Sequence, residues 1–252
     1  MGAGVRSSFL IQLASIVLLV ALWQVAAAAM DDSRLLPGPV AVLDVLVRDI
    51  GDGELPYHVG VTLARVAASF VLAMTIGIAI GIAMGRAKTL DRFFDSWLIL
   101  FLNIPALVTI ILAYVWFGLV EAAAIGAVAI NKIPTVVVTV REGTRALERD
   151  YMEMAEVFRV GQWRQLQQVV LPQLYPFLMA AARSGLALIW KIVLVVELLG
   201  RSNGVGFQLY LFFQLFDVAS ILAYTIAFVA VIQTIELTLM RPVERWATRW
   251  RR

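Results

Sequence analysis

Lys132, Arg183, Lys191 and Glu197 stand inside long apolar stretches, where an ionisable side chain could carry or relay an ion but could not rest unpaired. A charge at the centre of a bilayer costs roughly 2.5–3.5 kcal/mol on insertion scales, so such residues face a partner or a watery path. Lys132 and Lys191, near the middle of their stretches, point to a path that favours an anion, with Asn103, Pro105 and Glu197 as its other candidate residues. The alternative is a buried ion pair, Lys191 with Glu197 through local rotation or with an acid on another helix. On one helix Arg183 and Lys191 fall about 80° apart, whereas Arg183 and Glu197 lie about 21 Å apart along the axis and cannot pair directly. Other chemistry has little to work with. The chain has one histidine, His58, with no Ser, Cys or acid constellation beside it, and no cysteine, which excludes disulfides and thiolate metal sites. No carboxylate pair stands at catalytic spacing in the apolar stretches. A G-x-x-x-x-G-K-[ST] phosphate loop is absent.

The elements that must hold these residues are membrane spans. The 252 residues are 61% hydrophobic and 15% charged, against roughly 45–50% and about 25% in ordinary soluble domains. A helix crosses the hydrocarbon core with roughly 20 apolar residues. Six stretches qualify: 9–30, 66–84, 96–120, 122–140, 174–200 and 218–239, with Glu236 close to the end of the last. Six spans put both termini on one side. With the termini inside, the inner segments hold Arg6; Arg86, Lys88 and Arg92; Arg141, Arg145, Arg149, Arg159 and Arg164; and Arg241, Arg245, Arg249, Arg251 and Arg252. The outer segments hold only Arg34, Arg48 and Arg201, so the positive-inside rule places both termini in the cytoplasm. This asymmetry explains the net charge of +3 without nucleic acid, since Asp31, Asp32, Asp44, Asp49, Asp52 and Glu54 make the first outer segment acidic. Small residues in AAAAM could end a signal peptide, but the apolar run exceeds the usual 7 to 15 residue core, roughly, and is read as a retained span.

Between spans one and two, LLPGP (residues 35 to 39) signals a turn and VAVLDVLV a short amphipathic helix. His58 reads as a helix-entry residue near the interface. Gly77, Gly81 and Gly85 recur every four residues and let another backbone approach one helix face. Pro105 and Pro134 each remove a backbone hydrogen bond from a helix in lipid, as a path or an ordinary kink would.

From Arg141 to Gln168 the chain is too polar for the membrane and too periodic for a loose loop. Tyr151, Met154, Ala155 and Phe158 share one helical face, with Glu148, Arg149, Glu153 and Glu156 elsewhere on it. Gly161 breaks the pattern. A second short helix follows, with Trp163, Leu166, Val169 and Val170 as its apolar side, and Pro172 opens the next span. Periodicity leaves two readings: a docking surface for a partner, or helices lying flat at the lipid interface.

This stretch resembles the EAA motif of ABC-transporter permeases, which spaces E-A-A, a glycine and a terminal L-P in fixed register. Glu153, Met154 and Ala155 take the E-A-A places, Arg159 the glycine place, and Leu171 with Pro172 the L-P. LLPGPVAVLDVLV, HVGVTLARV, GIAIGIAMGR, DRFFDSW, NIPALV, VWFGLVEA, AAARSGLALIW, VVELLG and SNGVGF extend the likeness over nearly the whole chain. They are similar to the nitrate, sulfonate, taurine and bicarbonate branch.

The resemblance implies an all-α membrane protein with the type I ABC importer permease fold: six transmembrane helices in one domain, 1–252, with a cytoplasmic coupling segment at about 144–172. It implies that Glu153, Met154, Ala155, Phe158, Arg159, Gly161, Trp163, Leu171 and Pro172 seat in a groove of an ATPase subunit. That subunit, in two copies, would bind ATP and Mg and hydrolyse the nucleotide, leaving no cofactor, metal or catalytic residue to this chain. A second permease copy, an extracytoplasmic solute-binding protein and the bilayer of a bacterial inner membrane complete the set of partners. Arg159 puts a cation where the family turns on a small residue, and Met154 replaces an alanine; either the ATPase groove is accommodating and acidic, which is the expectation, or coupling is weak. Two rivals remain: an ATP-independent secondary transporter or channel, which has no need of the insert, and a membrane enzyme.

Overall fold

The computed structural model describes the backbone of residues 3–30, 34–147 and 149–243. Asp31, Asp32, Glu148, Arg245, Arg249, Arg251 and Arg252, together with the side chains of Arg6, Arg149 and Glu156, lie outside what it describes. Every element among the described residues is helical: α1 (Ala3–Met30), α2 (Pro39–Gly51), α3 (Glu54–Arg86), α4 (Lys88–Asn103), α5 (Ala106–Phe117), α6 (Glu121–Arg145), α7 (Arg149–Val157), α8 (Gln162–Gln165), α9 (Leu171–Gly200), α10 (Val205–Gln214) and α11 (Val218–Ile235), with π turns at Leu166–Val170 and Glu236–Met240. Five runs are long and apolar enough to cross a membrane, and α4 with α5 supplies a sixth if its bend is counted within one span.

Three boundaries differ from the sequence expectation. The third span does not run straight from Ser96 to Val120: α4 and α5 meet at 95° across Ile104 and Pro105. Pro105 has no N–H to continue the ladder and forces its predecessor out of the helical region, and Ile104 is extended at ψ 123°. The second span begins at Glu54 rather than Val66, because Arg65 finds two carboxylates and no longer ends the helix. Pro172 does stand in the first turn of α9, but no break precedes it. Gln162 to Gly200 is one helical run of 39 residues, and the π turn ahead of Pro172 lets Leu171 N–H reach the Leu166 carbonyl. That wider turn makes room for the proline ring, which would otherwise meet the carbonyl four residues back. The short helix α10 lies between the fifth and sixth expected spans, where periodicity had assigned no element.

Helices α3, α6 and α9 form the centre. The glycine stripe sets the α3 to α6 distance: a Cβ on Gly77 would stand 2.7 Å from Val136 Cβ, one on Gly81 2.7 Å from Val140 Cβ, and one on Gly85 would run into Thr144. Both rows advance by four residues, so the ridge of α6 lies in a groove that only glycine leaves open. Around this pair, Val66, Ile110, Val128, Ile189, Trp190, Tyr224 and Phe228 form the main core. Trp190 and Phe228 meet edge to face at 6.0 Å. Along Ile11–Met30 of α1 no residue is buried. A helix apolar all round and uncovered by its own chain belongs in lipid or against another chain.

Candidate coupling surface and buried ionic knot

The bundle has two polar ends. At one end α7 and α8 hang between α6 and α9. Helix α7 closes through a Schellman turn: Val160 N–H donates to the Ala155 carbonyl at 2.9 Å while Arg159 takes the left-handed conformation, φ 49°. The motif's glycine place therefore needs a positive φ, and Arg159 fills it at a steric cost that glycine avoids. Gly161, expected to break the helix, has an ordinary φ of −58° and precedes α8. The expected apolar face is divided. Ala155 and Val170 pack inward, whereas Tyr151, Met154, Val157, Phe158 and Trp163 stay uncovered, Phe158 at 74% and Trp163 at 69%. Glu153 is exposed as well. Leu171 and Pro172 are half-buried at the base of α9. The segment is thus tied to the bundle by α9 and by Ala155, and it shows five large apolar side chains with nothing against them.

The same end is braced by charge. Arg141 reaches Asp95 at 2.6 Å and Asp91 at 3.3 Å, Arg145 reaches Asp91, and both arginines touch Glu142. This links α4 to α6.

At the opposite end lies the largest polar cluster, one the sequence reading underestimated. Arg65 of α3, 3% exposed, donates to Glu197 of α9 at 2.7 Å, to Glu121 of α6 at 2.6 Å and to the Asn203 carbonyl at 2.8 Å. Glu197 is fully buried and also accepts from Thr62 Oγ1 at 2.9 Å and from Gly206 N–H at 2.8 Å. Arg201 covers the other side of Glu121 at 2.6 Å and donates to the Leu119 carbonyl at 2.5 Å. His58 is buried: its Nδ1 accepts from Gly204 N–H at 3.0 Å, and Nε2 faces Gln208 and Glu54. This tautomer leaves the proton on Nε2. Gly204, at φ 106°, presses so closely on the Glu197 carboxylate that no side chain would fit. Buried charges persist only when paired and hydrogen-bonded, and here every Glu197 oxygen has a partner. In the sequence the signal was Arg65 beside a span and Glu197 inside one, both unexplained alone.

The five candidate path residues are not brought together. Glu197 belongs to the knot, so the alternative pairing of Glu197 with Lys191 does not occur. Lys191 lies exposed on an uncovered stripe of α9 with Ser184, Leu188, Val195 and Leu198. Arg183 is also exposed and pairs with Glu236 at 3.1 Å. Asn103 and Pro105 are exposed at the α4–α5 bend, where Asn103 Nδ2 donates to the Ile99 carbonyl at 2.7 Å. Lys132 is 2% exposed, and its Nζ has no hydrogen-bond partner. Two crevices open nearby: one of about 330 Å³ lined by Ile80, Met84, Trp97, Leu98, Ile133 and Val137 among others, and one of about 460 Å³ that includes Leu119, Gly200, Arg201, Ser202 and Tyr210. Lys132 lines neither. Among the described residues no group of His, Cys, Asp and Glu could hold a metal ion.

Comparison with known proteins agrees with this architecture. The family described as binding-protein-dependent transport system inner membrane component matches residues 73–249. A putative aliphatic sulfonates transport permease protein of Bacillus subtilis (strain 168) is 28% identical over 234 residues, covering 92% of this chain and 84% of that protein. A taurine transport system permease protein of Escherichia coli (strain K12) is 27% identical over 239 residues, 93% of this chain and 86% of that one. The bicarbonate transport system permease protein of Synechococcus elongatus is 28% identical over 253 residues, 96% and 88% respectively. In fold, the chain superposes on an inward-facing form of the MetNI methionine ABC transporter with TM-score 0.66 at 16% identity, covering 81% of this chain and 97% of that one. The chain belongs to the binding-protein-dependent transport system inner membrane components, the multi-pass permeases of ABC importers, which work with an ATPase and a binding protein.

Proposed function

We propose that this chain is the translocating half of an importer for a small anionic solute, and that α7 and α8 form the joint through which a separate ATPase drives it. One observation carries this reading: the uncovered set Tyr151, Met154, Val157, Phe158 and Trp163 sits at the root of an unbroken 39-residue helical run. Large apolar side chains gathered on so short a segment imply a partner. A push on Trp163 or Phe158 is carried along α9 to the far end of the bundle. Glu153, Met154, Ala155, Phe158, Arg159, Gly161, Trp163, Leu171 and Pro172 form this joint. ATP and Mg belong to the ATPase, which enters in two copies because two permease chains face each other, and this chain hydrolyses nothing. The second permease chain covers the exposed stripe of α9, bringing Lys191 and the bend at Asn103 and Pro105 to the shared path. Basic residues at the α7 end support a cytoplasmic position for that end and for both termini. The Glu197 knot then lies on the outer face, where the binding protein delivers solute. The named solutes of the relatives, sulfonates, taurine and bicarbonate, support an acidic cargo.

Co-purification tests the joint. The intact chain, expressed with its partner ATPase, should retain that ATPase through detergent extraction, and Phe158→Asp with Trp163→Asp should release it while the permease still folds. Uptake that continues without any ATPase would instead establish an ATP-independent carrier.

A further inference from the structure

Lys132 is the one described cation of the bundle interior without a counter-charge. The acids of the bundle are engaged elsewhere. Glu197 and Glu121 are taken by Arg65 and Arg201; Asp91, Asp95 and Glu142 by Arg141 and Arg145; Glu236 by Arg183; and Glu54 is exposed, facing neutral His58. Asp217 caps Ser220. An amine in a low-dielectric interior with neither a hydrogen bond nor an opposite charge is costly, so its persistence asks for a state in which it is satisfied.

The packing around Lys132 says where that state would come from. A Cβ on Gly185 of α9 would lie 3.1 Å from Lys132 Cε and 3.8 Å from Phe70. The lysine stem is therefore sealed between α6, the glycine of α9 and a ring of α3. Lys132 stands 11 residues from the start of α6 and 13 from its end, roughly 16 and 20 Å along the axis and so near the middle of the membrane. Gly185 lies on the same rod that carries Trp163 at one end and is pinned by Glu197 at the other. A rod held at its far end and moved at its near end swings most at the near end. The α6–α9 seam at Gly185 lies between the two, so it opens when α8 is drawn away. A glycine facing the lysine means that only a thin wall has to move.

We propose that Lys132 is an alternately exposed anion-binding residue: sealed behind Gly185 in the state described, and uncovered by movement of α9 to hold the anionic group of the solute in transit. This rests on the coupling role of α7 and α8. Opening costs the Gly185 contact and returns an ion pair to the amine, so the residue favours the open seam only when an anion is present. Such a coupling makes solute and α9 movement mutually dependent.

The three lysines of the chain, Lys88, Lys132 and Lys191, make the test direct. The complete transporter, permease with its ATPase in nanodiscs, is treated with the amine-acylating reagent sulfo-NHS-acetate, and each lysine is read by peptide mass spectrometry. Exposed Lys88 serves as the internal standard. Lys132 should be acylated at least about tenfold faster during ATP turnover than without nucleotide, a shift of about 1.4 kcal/mol in seam opening. Methanesulfonate, nitrate or bicarbonate should slow that reaction more than chloride at equal ionic strength. In a companion variant, Lys132→Met should keep the ATPase bound while losing uptake of the anion that protects Lys132 best. Lys132 staying sealed in a complex that turns over ATP overturns the proposal while leaving the coupling reading intact. Equal protection by all anions reduces the effect to screening and also overturns it. A complex that never forms overturns the coupling reading and the proposal with it.

Discussion

At the residue scale, two side chains show how context decides the meaning of a charge. Arg65 and Lys132 are both buried cations, yet Arg65 holds two carboxylates and a carbonyl while Lys132 holds nothing. Their substitution should differ accordingly. Arg65→Met strands Glu197 in the knot, since Glu121 keeps Arg201, and removing one partner of a buried pair costs about 3–5 kcal/mol. Thermal unfolding in detergent should fall sharply for Arg65→Met and little for exposed Lys191→Met. Equal melting of Arg65→Met and the parent protein would mean that the knot adds nothing to stability. Arg159 is the third instructive residue. It pays the left-handed cost in an exposed turn where glycine would not, and strain kept at a partner surface accords with a role in contact rather than in folding. Sequence alone located the position through the motif's spacing; only the backbone showed why the family prefers a small residue there.

At the element scale, proline and glycine set the geometry by what they lack. Pro105 turns one apolar stretch into two helices at 95°, whereas Pro134 leaves α6 continuous, Glu121–Arg145, with its ring buried. The difference is local support: Pro134 is buried, on a wall shared with α3 and α4, and Pro105 is exposed. Pro172 is accommodated by the π turn at Leu166–Val170. Restoring the amide donor with Pro172→Ala lets that turn tighten to α geometry, rotating α8 relative to α9 by roughly one residue, about 100°. The variant should bind ATPase and hydrolyse ATP yet lose most solute uptake, read as the ratio of transport to hydrolysis in proteoliposomes. An unchanged ratio would show that the phase of Trp163 relative to α9 is unimportant. The glycine stripe was legible in advance because a four-residue repeat in lipid has one common use. Its partner ridge, Val136, Val140 and Thr144, was not, because nothing in α6 marks those residues apart from other apolar ones.

At the scale of the whole molecule, the two ends do different work. The α7 end leaves large apolar side chains uncovered, and the opposite end is tied together by the buried ionic knot. The orientation of this axis follows from charge and is directly testable, since the chain has no cysteine of its own. A membrane-impermeant thiol reagent should label Ser202→Cys, exposed beside the knot, in cells with a permeable outer envelope. It should label Gln167→Cys, exposed in the coupling segment, only in inverted vesicles. The reverse pattern would invert the proposed topology.

Hydropathy, the placement of arginine and the spacing from Glu153 to Pro172 by themselves pointed to the class of protein, to a set of membrane spans and to the segment proposed as the joint. These are one-dimensional properties: the bilayer acts on runs of residues, and a motif of fixed register survives in the chain however it folds. Tertiary structure alone decided which charges meet. Arg65 and Glu197 are 132 residues apart and His58 and Gly204 are 146 apart, and no local pattern announces such pairs. The same packing separated Lys132 from Lys191, which composition had treated alike, by placing one behind Gly185 and the other on an open face. A partner in space satisfies a charge, and only the fold chooses the partner.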